Sequence, residues 1–165
     1  MNKSNKKPTA HLVCGFIGAG KTTFSKKLEK ETGALRFTKD EWMIRIFGNN
    51  PKKINQFEKY DNRMMNLSID TAIECLKAGI DVIIDDAHWI KADRKLISEK
   101  VKKAGGTPQF YYIKCSWNTL KNRTLERSKN LGKDAFYIDE EMFNSYKKHF
   151  EEFGSDEECI VINND

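Results

Sequence analysis

A parallel sheet covered by helices, an α/β fold on five strands, is what this sequence predicts, and three observations predict it. Short apolar runs alternate with longer helical patterns along the chain. A glycine-rich loop, Gly15-Phe16-Ile17-Gly18-Ala19-Gly20-Lys21-Thr22, lies between the first apolar run and the first helical pattern. No internal repeat, low-complexity stretch or linker breaks the alternation. With 165 residues, 39% of them hydrophobic, the chain can bury one sizeable core. Residues 1–165 are therefore expected to form a single domain.

The elements follow in order. Ala10 to Cys14 is an apolar first strand, and the helix after the glycine loop runs from about Lys21 to Glu31, stopping at Gly33. Leu35 to Phe37 makes a short second strand. Asp40 to Phe47 makes a short helix, and Gly48 to Pro51 a turn. A long helix spans Phe57 to Lys77, with apolar residues at Tyr60, Met64, Leu67 and Ile73, and ends at Gly79. Asp81 to Ile84 has the pattern of a buried strand. Ala92 to Ala104 is a helix closed by Gly105-Gly106, and Phe110 to Ile113 is a fourth strand. Leu120 to Arg127 reads as helical, Asp139 to Phe153 as an amphipathic helix with an acidic first turn, and Cys159 to Ile162 as the last strand.

Composition narrows the function classes. No apolar run approaches the roughly 20 residues of a membrane span, and the polar start from Met1 to Lys7 lacks an apolar stretch of signal-peptide type, so a cytoplasmic location is expected. The four cysteines show no metal-ligand spacing and read as reduced thiols. Twenty-nine basic against 24 acidic residues give a net charge of +5, spread along the chain rather than gathered in a basic stripe. This mild bias favours anionic ligands and does not by itself indicate nucleic acid. A monomer or weak dimer is expected.

The glycine loop meets the spacing GxxxxGK[ST] in full, between a strand and a helix. In that context the glycines let backbone N–H groups point inward as an anion cradle at a helix N-terminus. Lys21 reaches the β- and γ-phosphates of a nucleoside triphosphate, and the Thr22 hydroxyl serves magnesium. Gly15, Gly18, Ala19, Gly20, Lys21, Thr22 and Thr23 are the expected nucleotide contacts. Magnesium is a hard ion needing a second oxygen donor from a neighbouring strand end. Val82-Ile83-Ile84-Asp85 supplies one in Asp85, and Asp86 leaves the choice between the two open. No glutamate follows this strand to activate water, which argues against hydrolysis, and no NKxD sequence reads guanine, so ATP with Mg2+ is the expected pair.

On these residues the chain resembles the small P-loop kinases of the AAA-type ATP-binding set, related to polynucleotide kinase, zeta toxin and chloramphenicol phosphotransferase. The resemblance spans GFIGAGKTT, Thr38-Lys39-Asp40-Glu41-Trp42-Met43, Ile84-Asp85 with Trp89 and Arg94, Arg123-x-x-x-Arg127, and Phe150-Glu151-Glu152-Phe153. It implies a three-layer, doubly wound sheet with the first strand central, a helical lid at about 118–137, and transfer of the ATP γ-phosphate to a hydroxyl. The acceptor would be a small molecule or nucleotide-like compound. A nucleic-acid 5′-hydroxyl kinase and an ATP-driven switch without acceptor are the alternatives. Asp40 matches the position that activates the acceptor in such kinases, although Thr38 to Glu41 also reads as a capping box. Met43 stands where an arginine often follows. Arg123 and Arg127, four residues apart, share one helix face and would close over the phosphates, or form a solvated basic face. His88 and Trp89 follow the third strand and are placed to border an acceptor pocket, with packing under the next helix the preferred reading for Trp89; Arg94 matches the family pattern without an assigned role, a surface ion pair being an equal alternative. His11 and His149 read as structural.

Overall fold

The computed structural model describes residues 6–86, 88–132 and 135–165. Five strands alternate with six helices: β1 (Thr9–Cys14), α1 (Lys21–Thr32), β2 (Leu35–Phe37), α2 (Lys39–Phe47), α3 (Phe57–Lys77), β3 (Val82–Asp85), α4 (Lys91–Lys103), β4 (Thr107–Lys114), α5 (Trp117–Lys129), α6 (Glu140–Lys147) and β5 (Ile160–Asn163). A 3-10 turn, Pro51–Lys53, precedes α3. The sheet order is β2-β3-β1-β4-β5, and every pairing is parallel. The first strand is central, as the resemblance implies.

Strand alternation explains why both faces carry helices. Leu12, Val82 and Ile84 point into one core with Ile69, Ala72 and Leu76 of α3 and Ile97 and Val101 of α4. Val13 and Ile83 point into the other with Leu28 of α1, Met43 of α2, Leu120 of α5 and Phe143 of α6. A parallel sheet buried on both sides results. The strand order reverses at β1, so the crevice at its carboxyl end is where an open α/β sheet receives a ligand. Register then matters: Val13 pairs with Asp85, bringing the end of β3 level with the start of the glycine loop.

Most boundaries shift by one to three residues, α5 running Trp117–Lys129 rather than Leu120 to Arg127, and two shifts have a structural reason. β4 begins at Thr107 rather than Phe110, because it pairs with β1 from Thr9 onward; β5 pairs only from Tyr111, so Pro108 is tolerated on a stretch of open edge. α6 ends at Lys147 and does not reach Phe153. Beyond it the Phe150 ring enters a cluster with Phe16 and Trp117. The Glu151 N–H donates to the Trp89 carbonyl at 2.9 Å. Tertiary contacts replace the helix there while the apolar spacing of Phe150 and Phe153 persists.

Of the expected lid, positions 133 and 134 lie outside the described residues. The rest is α5 and a return segment pinned by Ser128, whose hydroxyl donates to the Ile138 carbonyl at 2.8 Å and accepts from the Ile138 N–H at 3.0 Å. The Tyr137 N–H donates to the Asn49 carbonyl at 2.7 Å, and Phe136 meets Phe57 edge to face. No described helix is long and apolar enough to cross a membrane. All four cysteines are free thiols.

Candidate active site

The glycine loop turns from β1 into α1 with Gly18 and Gly20 at φ of 83° and 95°. A side chain at Gly18 would meet the Leu120 carbonyl at 2.8 Å and the Thr124 hydroxyl at 2.7 Å, so the loop is wedged against α5. Gly18→Ala must relieve both the contact and a left-handed backbone that costs an L-residue roughly 1–2 kcal/mol. We expect it to weaken ATP binding by tenfold or more in a calorimetric titration. An unchanged affinity would separate this loop shape from binding.

Lys21 donates from Nζ to the Phe16 carbonyl at 3.1 Å. Burial lowers its pKa, opposed by the carboxylates of Asp85, Asp40 and Asp86. These acids surround a buried cation at the start of α1.

Asp85 is 5% exposed, and burial pushes its pKa up to about 6 although Lys21 and the Thr22 hydroxyl pull it down. Its Oδ2 has no hydrogen-bond partner among the described residues, and the nearest cation of an ion pair is Arg36 Nη1 at 3.9 Å. A desolvated carboxylate oxygen beside a hydroxyl is the donor set a hard divalent cation takes, so Thr22 and Asp85 fit magnesium. Asp86 lies on the other side, its Oδ1 3.7 Å from Lys39 Nζ.

Asp40 stands between two halves of the site. It follows Lys39 in the first turn of α2 with its side chain 57% exposed, and its charge acts on Lys21, Asp85 and Arg127. Its Oδ1 lies 3.5 Å from Lys39 Nζ. The capping box does not form. Thr38 occupies the N-cap position, but its hydroxyl accepts from Arg36 instead of the helix. The Glu41 carboxylate is taken by Arg36 at 3.2 Å and Lys26 at 3.2 Å. Charged partners win both groups from the backbone, and Asp40 is left facing the cavity.

That cavity, about 1100 Å³, extends from Gly18 and Lys21 past Asp40 to α3, α4 and α6. Arg127 lines it, whereas Arg123 does not. Arg123 donates to the Asn164 carbonyl at 2.6 Å, and the Asn164 amide donates to the Ala19 carbonyl at 2.8 Å, so this arginine braces the glycine loop from behind. Arg94, to which the sequence assigns no role, has a structural one. It is 2% exposed, pairs with Glu157 at 2.7 and 2.9 Å, and donates to the carbonyls of His88, Trp89 and Glu151 at 3.0–3.1 Å. Its ion pair is a buried clamp, not a surface one. Trp89 packs face to face on Phe16 and also borders the cavity. His11 and His149 contact the Tyr111 hydroxyl and the Ser145 carbonyl, both at 3.0 Å.

A family model described as an AAA domain matches residues 11–153. The chain belongs to that family. Among solved structures, a candidate kinase of Chloroflexus aurantiacus superposes on this AAA-domain chain with a TM-score of 0.76 at 17% identity, covering 96% of this chain and 89% of that one. Kti12 of Chaetomium thermophilum, in complex with ADP-AlF3, gives 0.70 at 15% identity over 93% and 88% of the two chains. A sugar kinase of Janibacter gives 0.68 at 19% identity over 94% and 85%. At these identities the likeness is one of fold, and the fold is that of the P-loop kinases.

Two polar residues of this AAA domain escaped the sequence reading. Lys39 donates to Asp61 of α3 at 2.9 Å and lies within 3.7 Å of Asp40 and Asp86. The three carboxylates raise its pKa despite burial. Asp61 carried a usable signal. Phe57, Tyr60, Met64 and Met65 share one face of α3, and a charge at Asp61 interrupts that apolar stripe at helical spacing.

Proposed function

We propose that this AAA-domain protein is an ATP-dependent phosphotransferase that moves the γ-phosphoryl group of ATP to an acceptor hydroxyl. The observation that carries the reading is Asp40, a cavity-facing carboxylate between the Lys21 cradle and a second polar basin. A hydrolase needs only a water at the γ-phosphate, while a basin of this size on the far side of the base suits a second substrate. The Janibacter neighbour is a sugar kinase, and the Kti12 structure holds ADP-AlF3, which supports the same reading.

In this reading the acceptor oxygen attacks the γ-phosphorus in line. A new O–P bond forms as the bond to the β–γ bridging oxygen breaks, and ADP departs with that electron pair. Asp40 takes the hydroxyl proton. Lys21 and Arg127 stabilise charge on the transferring group, and Arg123 keeps the loop in register from outside the cavity. Thr22 and Asp85 would hold magnesium, which would supply positive charge against the β- and γ-phosphates. Residues 1–165 act as one unit in the cytoplasm, with the segment around 118–137 as lid.

The test is an ADP-release screen over sugars, amino sugars, nucleosides, sugar acids and oligonucleotides, with Lys21→Ala as control. The expected result is acceptor-dependent release that disappears in the variant. Release at one rate with every acceptor and with none would instead make the protein a nucleotide hydrolase.

A further inference from the structure

We propose that Asn164, just beyond β5, is a positioning residue for the nucleotide: its side-chain amide fixes which way the Ala19–Gly20 peptide faces and so aims the Gly20 N–H at a phosphate. The inference rests on nucleotide binding by the glycine loop and needs no acceptor. One hydrogen bond carries it. The Asn164 amide donates from Nδ2 to the Ala19 carbonyl at 2.8 Å, across 145 positions of the chain. A carbonyl only accepts, so the nitrogen of the amide has to face it.

A trans peptide is planar, and its C=O and N–H point in opposite directions. Among the described residues no peptide bond is cis. Gly20 lines the cavity, whereas Ala19 and Asn164 lie behind it. Holding the Ala19 carbonyl outward on Asn164 therefore turns the Gly20 N–H inward, toward the anion cradle at the start of α1. The hold matters because one side of this peptide is glycine. Gly20 has a φ of 95°, and glycine takes negative φ about as readily, so the peptide is free to turn over. A flipped peptide would present a carbonyl oxygen to the phosphates in place of a donor.

The amide is itself fixed through its backbone. The Asn164 N–H donates to the Lys114 carbonyl at 2.9 Å, which continues the pairing of β4 with β5. Its carbonyl accepts from Arg123 Nη1 of α5 at 2.6 Å and from the Cys115 thiol at 3.1 Å. A side chain at Gly20 would meet Asn164 Nδ2 at 2.7 Å, so the amide lies directly against the peptide it holds. The Cys115 thiol also reaches the Ala19 carbonyl, at 3.7 Å, as a weak second donor. Arg123 thus acts on the loop through Asn164, which links the end of β5 and the lid helix to one peptide of the cradle.

The test is calorimetric titration of the full chain with Mg2+ and a non-hydrolysable ATP analogue. Asn164→Leu keeps the size of the side chain without its donor, and Asn164→Asp keeps the shape without the donor. Each should weaken binding about tenfold or more, the worth of a hydrogen bond to a charged group. Asp165→Asn is the matched control, because Asp165 is the next residue but accepts from the Ser116 N–H, at 2.7 Å, rather than holding the loop; its affinity should stay within about twofold of the parent. Nuclear magnetic resonance supplies a readout that a merely structural role would not move. In the parent the Gly20 amide proton should shift downfield when the analogue is added, as a charge-assisted hydrogen bond forms, and in Asn164→Leu it should not. Thermal melts check that the variants remain folded. An unchanged affinity in both Asn164 variants overturns the proposal, as does an equal loss in Asp165→Asn or a Gly20 shift that survives the substitution. Transfer assays in parallel separate the two claims. The expected losses with no acceptor phosphorylated leave Asn164 its role and remove the kinase reading; transfer that persists in Asn164→Leu at unchanged affinity does the reverse.

Discussion

Asp40→Asn is expected to lower the rate of phosphoryl transfer by about 10²–10⁴-fold, the usual span for loss of a positioned general base. Its affinity for ATP with Mg2+ should stay within a few-fold of the parent. The division follows from where the residue stands. In the kinase reading the nucleotide would be gripped by the glycine loop, Lys21, Thr22 and Asp85, whose hydrogen bonds do not run through Asp40. The acceptor hydroxyl would depend on Asp40 for proton removal. Asparagine keeps the size and can still accept a hydrogen bond, but cannot take the proton, and Lys39 retains Asp61 and Asp86 as partners. Glu41→Gln is the matched control, because Glu41 is the next residue of α2 yet is spent on Arg36 and Lys26. Rapid-quench measurement of the transfer step and titration of ATP decide the matter together. Equal losses in both variants would trace the effect to α2 rather than to a base.

What the sequence disclosed and what it hid divide along a physical line. The glycine loop was legible because its chemistry is local: a turn, a helix start and a lysine within eight residues. The sheet was legible because buried parallel strands are short and apolar, as in Val82-Ile83-Ile84. Asp85 and Asp40 could be placed because each ends or follows such a strand. Partners distant in sequence could not be read. Lys39 meets Asp61 across 22 positions and Arg94 meets Glu157 across 63, and neither pair has a spacing signature. Arg123 and Arg127 do share a helix, as four-residue spacing requires, but the end of β5 captures the first through the Asn164 carbonyl. The last helix failed for a related reason: Phe150 and Phe153 continue its apolar period while serving the aromatic cluster and the Arg94 guanidinium.

Arg94→Ala is expected to cost about 3–5 kcal/mol, the range for breaking a buried ion pair by removing one partner. For a chain of this length that corresponds to a melting temperature lower by roughly 10 °C. The loss is large because one guanidinium ties three stretches together: Glu157 before β5, the carbonyls of His88 and Trp89 after β3, and the Glu151 carbonyl after α6. Its face also lies 4.3 Å from the Phe153 ring centroid. Alanine removes the guanidinium from the Glu157 carboxylate and from three carbonyls, of which Trp89 keeps the Glu151 N–H while Glu157 keeps the Gly154 N–H, so Arg94→Ala should exceed Glu157→Gln in cost. The pH dependence separates charge from packing. Arg94 lowers the pKa of Glu157 in the folded chain. The pair's contribution is therefore fully present above the ordinary glutamate pKa of about 4.3 and is lost as pH falls through the depressed native value. Chemical denaturation at neutral pH and again near pH 3 should show the gap between Glu157→Gln and the parent narrowing on the acid side. A gap that stays constant would assign the stability to shape and hydrogen-bond count instead. Because His88 and Trp89 border the acceptor basin, Arg94→Ala should also weaken acceptor binding more than ATP binding, a coupling that follows from which loop the clamp holds.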